Sequence, residues 1–143
     1  KISVVYWSQS GNTLAMAEAI GKGITDGGAQ AEVVNVSSCQ VSDLDTEEVF
    51  ALGCPAMGAE VLEESEMEPF VAELEGNVKG KKIALFGSYG WGDGQWMRDW
   101  EERMISAGAT VVNGEGLICQ EAPDGDVISE CESLGKQLAG MQD

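Results

Sequence analysis

Short apolar runs rich in β-branched residues alternate along this chain with longer segments whose apolar residues recur every three to four positions, and that alternation constrains the fold more than any other feature. The runs are Ile2–Trp7, Glu32–Val36, Glu48–Leu52, Lys82–Ser88 and Thr110–Val112, with Leu117–Gln120 resuming the last one after Asn113-Gly114-Glu115-Gly116. They are apolar almost throughout rather than at every second position, so they suit strands covered on both faces, as in a parallel sheet. Parallel neighbours need a crossover of a dozen or more residues, and the intervening segments supply it as helices. Thr13–Gly27 places Leu14, Ala17, Ile20 and Ile24 on one face and stops at Gly27-Gly28. Glu66–Leu74 does the same with Met67, Phe70, Val71 and Leu74, its Pro69 lying early enough to be tolerated. Trp96–Ala107 and Val127–Met141 complete the set. The expected architecture is an α/β, doubly wound, five-stranded parallel sheet with helices on both faces. No repeat, low-complexity tract or linker divides the chain, so residues 1–143 are read as a single domain, with Asp143 as a natural end.

With 143 residues, 43% of them hydrophobic, the chain can bury a substantial core. Its charge narrows the range of partners. Eight Lys and Arg against 25 Asp and Glu give −17, a surface that repels phosphate backbones and anionic lipid, so neither nucleic acid nor a membrane surface is an expected partner. The chain has no histidine, which removes the commonest general acid/base, the commonest metal ligand and the usual member of a nucleophile triad. Hydrolytic and zinc chemistry are therefore not expected, and no metal site is assigned. Cys39, Cys54, Cys119 and Cys131 include no C-x-x-C pair and are read as reduced thiols of a cytoplasmic protein, with Cys54 a small buried apolar residue. No stretch approaches the roughly 18 apolar residues of a membrane-spanning helix. Lys1-Ile2-Ser3-Val4 begins as a strand rather than as a signal peptide.

In doubly wound sheets ligands sit beyond the carboxyl ends of the strands, where the strand order reverses, so the segments that follow the strands are the candidate site. After the first strand comes Ser8-Gln9-Ser10-Gly11-Asn12-Thr13, leading into a helix. Hydroxyl and amide side chains, a glycine and a helix N-terminus together form an anion cradle, and the same residues are good helix caps. The segment lacks the Gly-Lys-Ser/Thr of a Walker A loop and the three spaced glycines of a dinucleotide loop, which points to a single terminal phosphate held without Lys or Arg. After the third strand comes Cys54-Pro55-Ala56-Met57-Gly58-Ala59-Glu60, and after the fourth Gly87-Ser88-Tyr89-Gly90-Trp91-Gly92-Asp93-Gly94. Glycine-rich loops bury aromatics poorly, so Tyr89 and Trp91 are expected to stand partly exposed. A flat ring fits between the polarisable Met57 and the face of Trp91.

At these residues the chain resembles the flavodoxins, closely the short-chain clostridial type. Val-Val-Tyr-Trp-Ser at 4–8, Gly-Asn-Thr at 11–13, Ala-Met-Gly at 56–58 and Gly-Ser-Tyr-Gly-Trp-Gly at 87–92 match that family's pattern. The likeness runs on through Val61-Leu62-Glu63-Glu64-Ser65 and Trp96-Met97-Arg98-Asp99 and covers essentially the whole chain. It implies a strand order of 2-1-3-4-5, no room for a long-chain insertion in the fifth strand, and non-covalently bound FMN. It also implies a low-potential one-electron carrier without substrate turnover of its own, a monomer that cycles mainly between semiquinone and hydroquinone and exchanges electrons with basic redox partner proteins. Carried onto this sequence, the family implies that Ser8, Ser10, Asn12 and Thr13, with neighbouring backbone amides such as those of Gln9 and Gly11, hold the phosphate. Met57 and Trp91 would flank the isoalloxazine ring and Glu60 would accept from its N3–H. Gly58 would supply the peptide whose carbonyl turns toward N5 on reduction, a movement glycine permits because φ > 0 costs it little. Ala56, Ala59, Ser88, Tyr89, Gly90 and Gly92 complete the expected cofactor-binding set.

Two positions depart from the family pattern. Gln9-Ser10 replaces Gly-Thr; Ser10 keeps the hydroxyl, and Gln9 is strained only where its backbone turns left-handed. Ala59 stands where Asp, Asn or Gly is expected, so Ala59→Gly is expected to favour the reduced-state turn by up to about 1 kcal/mol. Glu60, Glu63, Glu64, Glu66 and Glu68 cluster in the segment beside the expected flavin. Each would oppose addition of the second electron by roughly 0.8 kcal/mol at about 10 Å in an effective dielectric of about 40. The same acidic rim would steer basic partners.

Other readings stay open at this point. A flavodoxin-like NAD(P)H:quinone reductase would need a nicotinamide site and further segments. A phosphoacceptor signalling domain would need paired acids after the first strand and a lysine after the last. The flavodoxin module of a larger reductase would carry the same residues as a free carrier. Trp7, Trp96 and Trp100 are read as packing, and Lys79-Gly80-Lys81-Lys82 as a solvated turn at the end away from the expected flavin.

Overall fold

The structure, a computed structural model, describes residues 1–142; the expectation for Asp143 lies outside the described residues. Strand β1 (Ile2–Tyr6) leads to helix α1 (Asn12–Asp26), then β2 (Ala31–Asn35) and β3 (Val49–Gly53). Helix α2 (Met67–Leu74), strand β4 (Lys82–Tyr89) and helix α3 (Gln95–Ser106) follow. The chain closes with β5 (Thr110–Val111), β6 (Leu117–Gln120) and helix α4 (Gly125–Met141). Every expected strand and helix is present, with ends displaced by a residue or two. Helix α4 begins earlier than its apolar pattern because Asp124 caps it, its carboxylate accepting the Val127 N–H at 2.9 Å.

All strand pairs are parallel and run in the order β2-β1-β3-β4-β5, with β6 also pairing β4. Strands β5 and β6 are two halves of one sheet position: Lys82 and Ile83 pair with Thr110 and Val111, and Phe86 to Tyr89 pair with Leu117 to Gln120. Val112, expected as strand, instead opens a turn. Asn113 at φ 66° and Gly114 at φ 77° cannot continue extended backbone. That turn is held from both sides: Asn113 and Gln137 exchange amide hydrogen bonds of 3.1 and 2.7 Å, and Glu101 accepts from the Gly116 N–H at 2.7 Å.

Successive strand residues face opposite ways. Val4, Ala51 and Phe86 therefore join Ile20 and Ile24 of α1 and Leu134 and Leu138 of α4, while Val5, Leu52 and Leu85 join Met67 and Val71 of α2 and Trp96 and Trp100 of α3. Each such large side chain contributes about 1.5–3 kcal/mol by leaving water. Helices α1 and α4 approach closely enough that a Cβ on Gly135 would run into the Ile20 carbonyl oxygen, and one on Gly23 into that of Glu132. Among the described residues no helix is long and apolar enough to cross a membrane.

At the amino ends of the strands a second polar network closes the sheet. Buried Glu47 accepts from both the N–H and the hydroxyl of Ser3 at 2.7 Å. Lys81 donates to the carbonyls of Leu44, Asp45 and Glu47 at 2.9, 3.1 and 2.8 Å. The solvated-turn reading thus holds for exposed Lys79 and Gly80 but not for Lys81, and Lys82, though exposed, opens strand β4. An ammonium group offers three donors, and these carbonyls at and just after the short 3₁₀ turn Val41–Leu44 take one each.

Candidate functional site

The parallel register brings the carboxyl ends of β1, β3, β4 and β6 to one edge, and the loops leaving them meet there. In the first loop, Ser8 Oγ accepts from the N–H groups of Gly11 and Leu14, both at 3.2 Å. The N–H groups of Asn12 and Thr13, the first residues of α1, have no acceptor among the described residues. No acidic residue lies in the first turn of α1, so the helix itself sets no like charge against an anion there. Gly11 carries the left-handed turn at φ 94°, with open space where its Cβ would stand. Gln9 lies outside the left-handed region, so its side chain strains nothing. Behind the loop, buried Thr13 Oγ1 lies 3.0 Å from Ser88 Oγ, tying the start of α1 to the end of β4.

In the second loop, Met57 and Val61 exchange two backbone hydrogen bonds of 2.8 and 2.9 Å, closing a tight hairpin whose tip is Gly58-Ala59-Glu60. Gly58 at φ 49° and Glu60 at φ 57° are the left-handed residues of that tip, and Ala59 is not. The third loop keeps Tyr89 half-buried, its ring centroid 5.5 Å from that of Trp96, and leaves Trp91 65% exposed. The two loops touch through Glu60, whose Oε1 accepts the Gln95 N–H at 3.2 Å at the start of α3. A Cβ on Gly92 would strike that carboxylate.

Between these loops lies a cleft of ≈ 500 Å³, within the usual range for a cofactor site. The first loop lines it with Ser8, Gln9, Ser10, Asn12 and Thr13. Ala56 and Met57 line it from the second, and Ser88, Tyr89 and Gly90 from the third. Gly11, Gly58, Ala59, Glu60, Trp91 and Gly92 adjoin these residues in the chain without lining the cleft itself. Three lining residues were not foreseen: Pro55, and Glu121 and Ala122 from the loop after β6. Their signal was positional, since a loop leaving the carboxyl end of the last strand must reach the same edge. No lysine or arginine lines the cleft. A larger groove of ≈ 800 Å³ lies between α3, α4 and the β5–β6 break, but the hydroxyl-rich loop does not reach it.

The acidic segment is less uniform than its sequence suggests. Glu64 and Glu66 are exposed, but Glu63 is buried and accepts from the N–H groups of Ser65, Glu66 and Met67 at 2.6, 2.7 and 3.0 Å. Burial alone would raise its pKa; the Met67, Ser65 and Glu66 amides more than reverse this and hold the carboxyl below the usual range. Glu68 makes two 2.8 Å bonds to the Arg103 guanidinium, which also binds Glu75 at 2.6 Å. Three of the five clustered carboxylates are therefore engaged, Glu60 by the Gln95 N–H, Glu63 by the loop amides and Glu68 by Arg103, and among the described residues only Glu64 and Glu66 stand free. Cys54, beside the cleft, is buried, and burial pushes its thiol up to about 12, which leaves it inert as a nucleophile.

Fold and site define a class: a doubly wound α/β protein whose cleft, at the reversal of strand order, is lined by neutral hydroxyl and amide side chains at a helix N-terminus and bordered by an aromatic-bearing loop. A family model described as Flavodoxin matches residues 4–134. The chain is 51% identical over 140 residues to the flavodoxin of Clostridium beijerinckii, covering 98% of this chain and all of that one. It is 46% identical over 138 residues to the flavodoxin of Megasphaera elsdenii, covering 96% and 98% of the two chains. The solution structure of two-electron reduced Megasphaera elsdenii flavodoxin matches with a TM-score of 0.87 at 44% identity, over 98% of this chain and 99% of that one. The chain belongs to the flavodoxin family, the FMN-binding proteins of electron transport, and to its short-chain clostridial type.

Proposed function

We propose that residues 1–143 form one FMN-binding domain that acts as a low-potential one-electron carrier, without substrate turnover, cycling mainly between semiquinone and hydroquinone. The observation that carries this reading is the cleft itself: lined in its first loop by hydroxyl and amide side chains, free of cationic side chains, with Glu121 as its one carboxylate, and running from the start of α1 to a methionine hairpin and a loop with an exposed tryptophan. FMN, when bound, supplies the one-electron chemistry. Ser8, Ser10, Asn12 and Thr13, with the Gln9 and Gly11 amides, hold its phosphate; the unpaired N–H groups of Asn12 and Thr13 fit a dianion at a helix N-terminus. Met57 and Trp91 flank the ring, and Glu60 accepts from N3–H through the carboxylate oxygen that Gln95 does not use. Gly58 and Ala59 form the turn beside N5. Ala56, Ser88, Tyr89, Gly90 and Gly92 wall the ring site, with Glu121 and Ala122 closing a side of it.

The partners are basic redox proteins, drawn to the exposed Glu64 and Glu66 and to the net charge of −17. The carrier works as a cytoplasmic monomer, a setting consistent with four free cysteines. The test is a visible spectrum of the FMN-loaded protein, desalted and then reduced stepwise without oxygen. One retained equivalent of flavin, and a long-wavelength band that rises with the first electron and falls with the second, are expected. Direct bleaching by NAD(P)H would point to a quinone reductase instead, and absence of retained flavin would remove both readings.

A further inference from the structure

The loop after β3 is tied down at both feet, and its tip is held from outside through Glu60, which accepts the Gln95 N–H at 3.2 Å. At the first foot the N–H groups of Cys54 and Ala56 donate to the carbonyls of Phe86 and Ser88 at 3.1 and 3.0 Å, and the Cys54 carbonyl accepts from Trp96 Nε1 at 3.1 Å. At the second foot stands Glu63, 6% exposed, with its carboxylate on three backbone N–H groups at the entry to α2 and its carbonyl accepting from Glu68 at 2.8 Å. The Glu63 N–H reaches the Cys54 Sγ at 3.4 Å and so joins one foot to the other. The Met57–Val61 hairpin hangs between them. A charge this deeply buried, with no cation beside it, persists only because those N–H groups replace water. Its neighbour Glu64 carries the same charge, is exposed and makes no hydrogen bond among the described residues.

We infer that Glu63 is a positioning residue for FMN binding. It does not line the cleft; by fixing the base of the hairpin, whose tip Gln95 holds through Glu60, it keeps Met57 and Gly58 in the arrangement the ring requires. This rests on reading the cleft as the FMN site. A hairpin that spends a tenth of its time in the competent arrangement binds about tenfold more weakly.

The experiment compares Glu63→Gln, Glu63→Asp and Glu64→Gln with the unsubstituted chain. FMN affinity is measured by quenching of flavin fluorescence, and amide hydrogen exchange is followed in the FMN-free proteins. Aspartate keeps the charge but falls short of the three N–H groups, so both Glu63 variants are expected to lose about tenfold or more in affinity. Exchange should speed up at Met57 and Val61 while Val5 and Leu85 stay protected. Glu64→Gln should stay within about twofold, as for an exposed charge. Wild-type affinity in Glu63→Asp beside weakened Glu63→Gln would assign the effect to charge and overturn the inference. Faster exchange at Val5 and Leu85 to the same degree would assign it to general loss of stability and also overturn it. Should Glu63→Gln not fold, Glu63→Asp carries the test alone. An unsubstituted protein that takes up no FMN would sink the site reading itself, a result distinct from either failure.

Discussion

Thr13 Oγ1 and Ser88 Oγ lie 3.0 Å apart at the cleft, so the first turn of α1 and the carboxyl end of strand β4 share a buried hydroxyl–hydroxyl hydrogen bond. Ser88 N–H also points to Thr13 Oγ1, at 3.4 Å. Thr13→Val keeps the shape but leaves the Ser88 hydroxyl without its partner. Loss of about 1–3 kcal/mol is expected in urea unfolding of the FMN-free protein, with weaker FMN binding in titration. Unchanged values in both would show that the pair is dispensable.

Two glycines of the same helix should respond in opposite directions to one methyl group. Gly135→Ala drives a Cβ into the Ile20 carbonyl, which is backbone and cannot swing away, so a loss of at least about 2 kcal/mol is expected. Gly140 has nothing within 4 Å of its Cβ direction, and Gly140→Ala should gain about 0.5–1 kcal/mol from helix propensity alone. Thermal unfolding of the two variants decides this.

Glu63 also sets a pH dependence. Its folded-state pKa lies below the ordinary glutamate value of about 4.3, so its stabilisation is fully present above that value and is lost as pH falls through the folded pKa. The gap in urea midpoint between the wild-type protein and Glu63→Gln should therefore be constant from about pH 7 to 5 and close below about pH 4. A gap independent of pH would mean that the carboxylate is not the source.

Arg103 joins α3 to Glu68 and Glu75, with 29% of its side chain exposed and the two carboxylates near 40%. At that exposure, solvent screens the pair, and Arg103→Met should cost only about 1 kcal/mol at low salt and less at high salt. Urea unfolding at two ionic strengths separates this from a packing loss, which salt would not reduce.

On the proposed function, the carboxylates should differ in how they act on the second electron. Glu64→Gln and Glu66→Gln remove exposed, unpaired charge and should each raise the potential of the second couple by at most the equivalent of about 0.8 kcal/mol. Glu68→Gln, already offset by Arg103, should move it less. Spectroelectrochemical titration measures all three, and equal shifts would show that the ion pair does not matter at the flavin.

Strand and helix identities were legible in the chain because burial follows a local pattern: apolar residues run unbroken where a strand is covered on both faces, as in Val4-Val5, and recur every third or fourth position from Leu14 to Ile24. The residues that follow each strand were legible for the same reason, since a parallel sheet has only one carboxyl edge. Hence ten of the residues named beforehand line the cleft, five from the first loop, two from the second and three from the third. What required the tertiary structure was every decision made by a distant partner. Glu63 and Glu64 are adjacent and identical in type, yet one is buried among backbone N–H groups and the other is solvated. Lys81 belongs to a basic run, yet only the packing of the turn at Val41–Leu44 shows that it caps carbonyls some 35 positions away. Glu121 reaches the cleft because β6 pairs β4 in one particular register. Periodicity reports which face of an element is buried; which charge finds which amide depends on contacts between residues far apart in the chain, and these exist only once the sheet has closed.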